Sequence, residues 1–192
     1  MDQFARVVMG YHGCNTSTSV EFARRLFDGT ARISDWRPSA NDYDWLGHGI
    51  YFWEHGPQRA RKWAGEDDTV IGAVIQLGRC FDLTDIRYTK LLQAAYESIV
   101  ALYAVEGLAL PENRGCDLKL RDLDCLVINQ FMNAMDSELI SGRETAFGYQ
   151  TVRCPFEEGD EAFPGSMLKT QTHIQLSVRD PSCILGVFRP NV

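Results

Sequence analysis

No stretch of this chain is apolar over the roughly 20 residues that a membrane-crossing helix needs. The first residues lack the basic-then-apolar pattern of a secretory signal. No internal repeat, linker or low-complexity segment interrupts the sequence. Positive charge is scarce: 19 Lys and Arg stand against 26 Asp and Glu, a net charge of −7. That excludes a broad nucleic-acid-coating surface, which needs clustered cations. Only Arg59, Arg61 and Lys62 make a small basic cluster, the one candidate for a local basic groove. No two cysteines form a C-x-x-C pair, and His12, His48, His55 and His173 have no zinc-ligand spacing with them. The six cysteines are therefore expected to be reduced structural thiols, and no metal is expected. Together these absences predict a soluble, cytoplasmic protein.

What is present is ordinary globular material. The chain has 192 residues, 45% of them hydrophobic and 23% charged, which suits a single domain over 1–192 with a real core. Residues 6–12 read as a β-branched strand. Residues 17–27 read as a helix with an apolar stripe of Val20, Phe22, Ala23, Leu26 and Phe27, capped by Ser17 or Thr18. A loop at 34–48 leads to a strand at 50–53, then a short helix at 57–64 with Pro57 in its first turn. Residues 69–77 predict a strand, and 85–105 and 118–135 predict helices. An irregular segment follows at 142–148. The pattern at 149–154 suggests a strand, and 155–165 is an acidic loop. Two more strands, 172–178 and 183–188, flank the turn Arg179-Asp180-Pro181-Ser182. This order predicts an α+β fold rather than a parallel doubly wound sheet.

Two short motifs stand out. Gly47-His48-Gly49-Ile50-Tyr51-Phe52 places two glycines around one residue directly before an aromatic strand. Such glycines permit a close backbone approach, and Tyr51 offers a ring for stacking on a flat ligand. Tyr11-His12-Gly13 ends the first strand with an aromatic, an imidazole and a glycine. Each residue also has a plain structural reading. His12 and Gly13 can simply end a strand and start a turn, and Tyr51 and Trp63 can be core aromatics.

These motifs, followed by Ala60 to Ala64 on a helix and by Ile71-Gly72-Ala73-Val74-Ile75-Gln76-Leu77-Gly78, resemble the ADP-ribosyltransferases of the poly(ADP-ribose) polymerase and diphtheria-toxin class. The resemblance covers residues 9–82 and 170–190. It implies a split antiparallel or mixed β core with flanking helices, in which 83–165 form a helical insertion. It also implies NAD as substrate. His12 would bond a ribose hydroxyl, the Gly13 and Gly49 segments would approach the cofactor, and Tyr51 and Trp63 would flank the nicotinamide. Several such small proteins are toxins of toxin–antitoxin or phage-defence systems, so the resemblance also implies a macromolecular acceptor, protein or nucleic acid, and a neutralising antitoxin protein.

The third motif of that class departs from its pattern here. The class carries Glu on a late strand, where its charge stabilises the oxocarbenium-like state as the glycosidic bond breaks. The late strand here reads Gln171-Thr172-His173-Ile174-Gln175-Leu176-Ser177-Val178, with no acid before Asp180. The best register puts Gln175 in the Glu position, and His173 on the same face two residues earlier. Three arrangements remain open. Gln175 positions the ribose in an active enzyme, with His173 as base for the acceptor. Alternatively, Glu157, Glu158 or Glu161 of the preceding loop supplies the carboxylate. Or the chain binds NAD or ADP-ribose without turnover. A further reading is NAD glycohydrolysis, with water as the acceptor.

Overall fold

The computed structural model describes residues 6–139 and 148–191. Residues 142–147 of the expected irregular segment lie outside them. The architecture is α+β: one mixed seven-stranded sheet with helices on both faces. The strands are β1 (Val7–Gly13), β2 (Ile50–Glu54), β3 (Val70–Gln76), β4 (Cys80–Asp82), β5 (Thr151–Phe156), β6 (His173–Val178) and β7 (Ile184–Phe188), and the helices are α1 (Ser17–Phe27), α2 (Pro57–Ala64), α3 (Ile86–Glu106) and α4 (Asp122–Leu139).

The sheet order is β4-β5-β6-β2-β1-β3-β7. All neighbours run antiparallel except β4 and β5, which are parallel. The middle of the chain is thus more than a helical insertion, because it supplies β5 between β4 and β6. All six cysteines are free thiols, with Cys14, Cys80, Cys125 and Cys183 buried. No described helix is long and apolar enough to cross a membrane.

Period two along the strands sorts side chains into two faces. On one face Ile50, Phe52, Leu176, Val178, Ile71, Ala73 and Ile75 pack with Cys14, Trp36 and the buried stripe of α1 (Ala23, Leu26). On the other face there are two separate clusters. Phe81 and Val152 pack with Tyr88 of α3 and Ile128, Phe131 and Met132 of α4. Trp53 and Val70 pack with Ala60 and Ala64 of α2. Tyr51, Gln175 and His173 belong to this second face, between the two clusters.

The β1–β2 contact is the weak seam of the sheet. β1 matches β3 along its whole length, from Val7↔Gln76 to Gly13↔Val70. With β2 it shares only Gly10↔Glu54 and Tyr11↔Trp53. Beyond Tyr11 the two strands part, and His12, Gly13 and Tyr51 lie at the opening.

Candidate functional site

The opening has a specific chemical cause. Cys14 N–H donates to the Thr69 carbonyl at 2.9 Å, so the even-numbered residues of β1 direct their main chain to β3. The odd-numbered ones face β2, as Met9 does when its carbonyl accepts from His55 N–H at 2.9 Å. Gly13 and Tyr51 would be the next bonded pair, but the ladder stops before them. The Tyr51 carbonyl lies 2.8 Å from Nδ1 of His12 instead. A carbonyl only accepts, so Nδ1 carries the proton and Nε2 keeps a lone pair. The ring is wedged edge-on against Trp36 and Phe52, with centroids 5.1 and 5.9 Å away. Burial pushes its pKa below the ordinary 6.5, against the opposing effect of the Tyr51 carbonyl. His12 is therefore a fixed, neutral hydrogen-bond acceptor beside the free main-chain edge of Gly13.

Both candidate glycines are also required by packing. A Cβ on Gly13 would stand 2.1 Å from the Ala60 carbonyl of α2. A Cβ on Gly49 would stand 2.1 Å from Ser177 Oγ. Both main-chain groups of Gly49 are taken by Ser39, at 3.1 and 2.8 Å. Gly49 therefore brings β2 close to β6 and presents no free main-chain group to a ligand.

Tyr51 is held at its tip. Its hydroxyl donates to the Gly47 carbonyl at 2.6 Å and accepts from Leu46 N–H at 2.7 Å. Burial, and next the nearby Asp44 charge, push its pKa well above 10, so the hydroxyl stays protonated. What Tyr51 can present is a ring edge or face. Trp63 does not flank it. That residue lies on the outer side of α2, 58% exposed, and its ring meets Trp53 at 5.8 Å. The aromatic that shares a face with Tyr51 is Trp53, two residues along β2 and directly opposite Gln175.

The same face of β6 carries a row of unsatisfied polar atoms. His173 Nε2, Gln175 Oε1 and Ser177 Oγ are buried without a hydrogen-bond partner in the protein, as is Nε1 of neighbouring Trp53. Buried polar atoms are nearly always paired, so His173 Nε2, Gln175 Oε1 and Trp53 Nε1 are open to a partner, whereas Ser177 Oγ is closed in beneath Gly49 and beside the Tyr51 hydroxyl. Nδ1 of His173 lies 2.8 Å from the Gln171 carbonyl, so it is the donor and the orphaned Nε2 is an acceptor. Burial lowers the His173 pKa, the Gln171 carbonyl opposes this, and Arg59 and Glu158 push it down and up respectively.

Glu158 is the one acid of the loop that reaches this patch. Its Oε2 lies 3.6 Å from His173 Nδ1 and accepts from Arg59 of α2 at 2.6 Å. Arg59 also donates to the Gln171 side chain at 2.7 Å and lies 5.9 Å from the Trp53 ring centroid. Glu157 is exposed, and the Glu161 carboxylate accepts from Gly165 N–H within the loop. Two of the three cations of the basic cluster at 59–62 are already paired, Arg59 with Glu158 and Arg61 with Asp68.

The fold thus brings Tyr51, Gln175 and His173 onto one face, with Trp53, Arg59 and Ser177 as unforeseen neighbours. His12 points to the opposite face and reaches the group only through the opening, at the Tyr51 main chain. Period two from Tyr51 was enough to find Trp53. The Arg59–Glu158 pair spans 99 residues and left no local signal. Among the described residues no group of three or more His, Cys, Asp or Glu is placed to hold a metal ion. Comparisons with models of known families, with curated proteins and with solved structures found no match.

Proposed function

We propose that the chain binds NAD at the β1–β2 opening and transfers its ADP-ribose to an acceptor, releasing nicotinamide. The observation that carries this reading is the displaced ladder pair. The His12 imidazole takes the Tyr51 carbonyl, and Gly13, packed against α2, falls outside the β1–β2 pairing on the sheet face that carries the orphaned polar row of β6. A carboxamide needs one donor and one acceptor, which a free strand edge supplies. Ribose hydroxyls need acceptors: Gln175 Oε1 supplies one on the Tyr51 face, and His12 Nε2 supplies one on the opposite face, across the β1–β2 opening.

In the reaction the bond between ribose C1′ and the nicotinamide nitrogen breaks, and nicotinamide leaves neutral with the electron pair. The acceptor forms the new bond to C1′ and gives its proton to His173 Nε2, a neutral base at neutral pH. Gln175 contributes a dipole where a carboxylate would contribute a charge. Incubation with NAD labelled in the adenylate half tests this reading. Free nicotinamide together with label on an acceptor supports it, and free ADP-ribose without acceptor indicates glycohydrolysis.

One observation favours the second reading, a silent NAD or ADP-ribose binding module. The loop carboxylate that reaches the patch, Glu158, is neutralised by Arg59. Binding without nicotinamide release separates that reading from the first. The toxin role and the antitoxin partner rest on the resemblance alone.

A further inference from the structure

A cavity of about 410 Å³ lies between α3, α4 and β5, away from the β1–β2 opening. That is within the range of small-molecule pockets, about 300–1,000 Å³. One wall is an aromatic cluster. Trp45 and Phe156 meet edge to face at 4.8 Å, and the Arg121 guanidinium lies 4.2 Å from the Trp45 centroid and 5.1 Å from that of Phe156. The Trp45 indole is locked by its Nε1–H to the Lys119 carbonyl, at 2.8 Å. Apolar side chains of α3 and α4, among them Leu92 and Val127, line much of the rest.

The polar groups on this apolar lining are few and mixed. Arg121 Nε is buried and has no partner in the protein, so it is a donor without an acceptor. Asp124 and Gln93, also in the lining, supply acceptors. The Gln93 amide NH₂ is already turned to Glu97, leaving its carbonyl oxygen. The cation in the lining, Arg121, is paired with Asp124, and on the flanking segments Arg114 pairs with Asp122, Lys119 with Asp117 and Arg87 with Asp85. Within the lining itself no unpaired cation faces a phosphate.

We propose that this cavity binds an uncharged planar heteroaromatic ring of the nucleobase class, presented as a free base or nucleoside. Aromatic rings and a guanidinium plane favour a flat π-system. The Arg121 donor and the Asp124 and Gln93 acceptors, with the Thr89 and Tyr96 hydroxyls also in the lining, fit a ring edge that carries both kinds of group. The wall is shared with the candidate site, because the His173 ring lies 6.4 Å from Trp45 and 5.9 Å from Phe156. A ring bound here is the acceptor of the ADP-ribose. That role rests on the transferase reading, whereas the binding itself does not.

The test is calorimetric titration of the full chain with adenosine, guanosine, cytidine and uridine, and with their 5′-monophosphates. At least one nucleoside is expected to bind with one-to-one stoichiometry and more tightly than its monophosphate. Gln93→Trp, at the exposed rim, and Arg121→Leu are each expected to weaken it about tenfold or more, with thermal unfolding confirming the fold. His12→Ala is expected to leave it unchanged. Failure of all four nucleosides to saturate overturns the proposal, as does tighter binding of the monophosphates or undiminished affinity in both cavity variants. Loss of nucleoside binding in His12→Ala also overturns it, by placing the ligand in the NAD opening. Nucleoside binding in a chain that does not turn over NAD would retain the cavity and discard the transferase reading.

Discussion

Nδ1 of His12 and the main-chain carbonyl of Tyr51 stand 2.8 Å apart, although the two side chains point to opposite faces of the sheet. One imidazole thus substitutes for a strand partner and holds the sheet open beside Gly13. Removing the ring removes the acceptor at Nε2 and the wedge together. His12→Ala is expected to abolish NAD turnover while the thermal unfolding transition stays cooperative. Tyr51→Ala is expected to do the same. Full activity in both variants would remove the site assignment.

Gln175 and Gln171 separate register from chemistry. Gln175 Oε1 is buried without a partner, while Gln171 accepts from Arg59 at the edge of the loop. Gln175→Ala is expected to lower NAD turnover by about 100-fold or more, the scale of losing one preorganised polar group. Gln171→Ala is expected to cost much less. Steady-state kinetics decide it, and the reverse ranking would show that the strand is read in the wrong register.

Gly49 faces Ser177 so closely that any side chain collides. Gly49→Ala is expected to destabilise the fold by about 1–3 kcal/mol in urea unfolding, the usual cost of overpacking. Adding Ser177→Ala removes the struck oxygen and should recover part of the loss. An unchanged midpoint in Gly49→Ala alone would show that the strand pair relaxes freely.

Arg153 ties three elements on the α1 face of the sheet. It donates to Glu54 at 2.6 and 2.9 Å and to Asp82 at 3.1 Å, and all three side chains are largely buried. Arg153→Met is expected to cost about 3–5 kcal/mol, because it strands buried carboxylates. Arg153→Met with Glu54→Gln should cost less than Arg153→Met alone, and equal midpoints would refute the coupling.

The two buried histidines set a pH dependence. Both His12 and His173 have pKa values held below 6.5 by burial. In the window between that lowered value and the unfolded value of about 6.5, the unfolded chain binds more protons than the folded one. Their neutral burial is therefore fully tolerated above about pH 6.5, and stability falls as pH drops through the window. His12→Asn is expected to flatten the decline of the urea midpoint between neutral and mildly acid pH. A decline as steep as that of the unaltered chain would show that His12 does not titrate in this range.

Much of the fold was legible locally. The stripe of α1 and the Pro57 start of α2 gave the observed bounds, because amphipathic spacing and a first-turn proline are short-range signals. The α1 cap is Thr16, reciprocally bonded with Ser19, rather than Ser17 or Thr18. α4 begins at Asp122 rather than near Leu118, because Asp117 and Leu118 adopt positive φ of 54° and 52° and cannot continue a helix. β4 went unread, since three residues are too few to show a period. β5 extends through Pro155, which is tolerated because β4 ends opposite Arg153 and leaves that edge open.

The site was legible only in parts. Gln175 and His173 were assignable to one face of the late strand from period two, whereas the place of Tyr51 on that face follows from the β2–β6 pairing. The exposure of Trp63 was not, because a short helix does not reveal which face turns outward. The parting of β1 from β2 was also hidden. It depends on a side chain competing with the main chain for one carbonyl, and no spacing in the sequence encodes that.

The most direct measurement is calorimetric titration of NAD into the unaltered chain and into His12→Ala and Gln175→Ala. The expected result is one-to-one binding by the unaltered chain, loss of binding in His12→Ala and a marked weakening in Gln175→Ala, with unfolding temperatures close to one another. No NAD binding by the unaltered chain, or equal affinity in all three, would contradict the account.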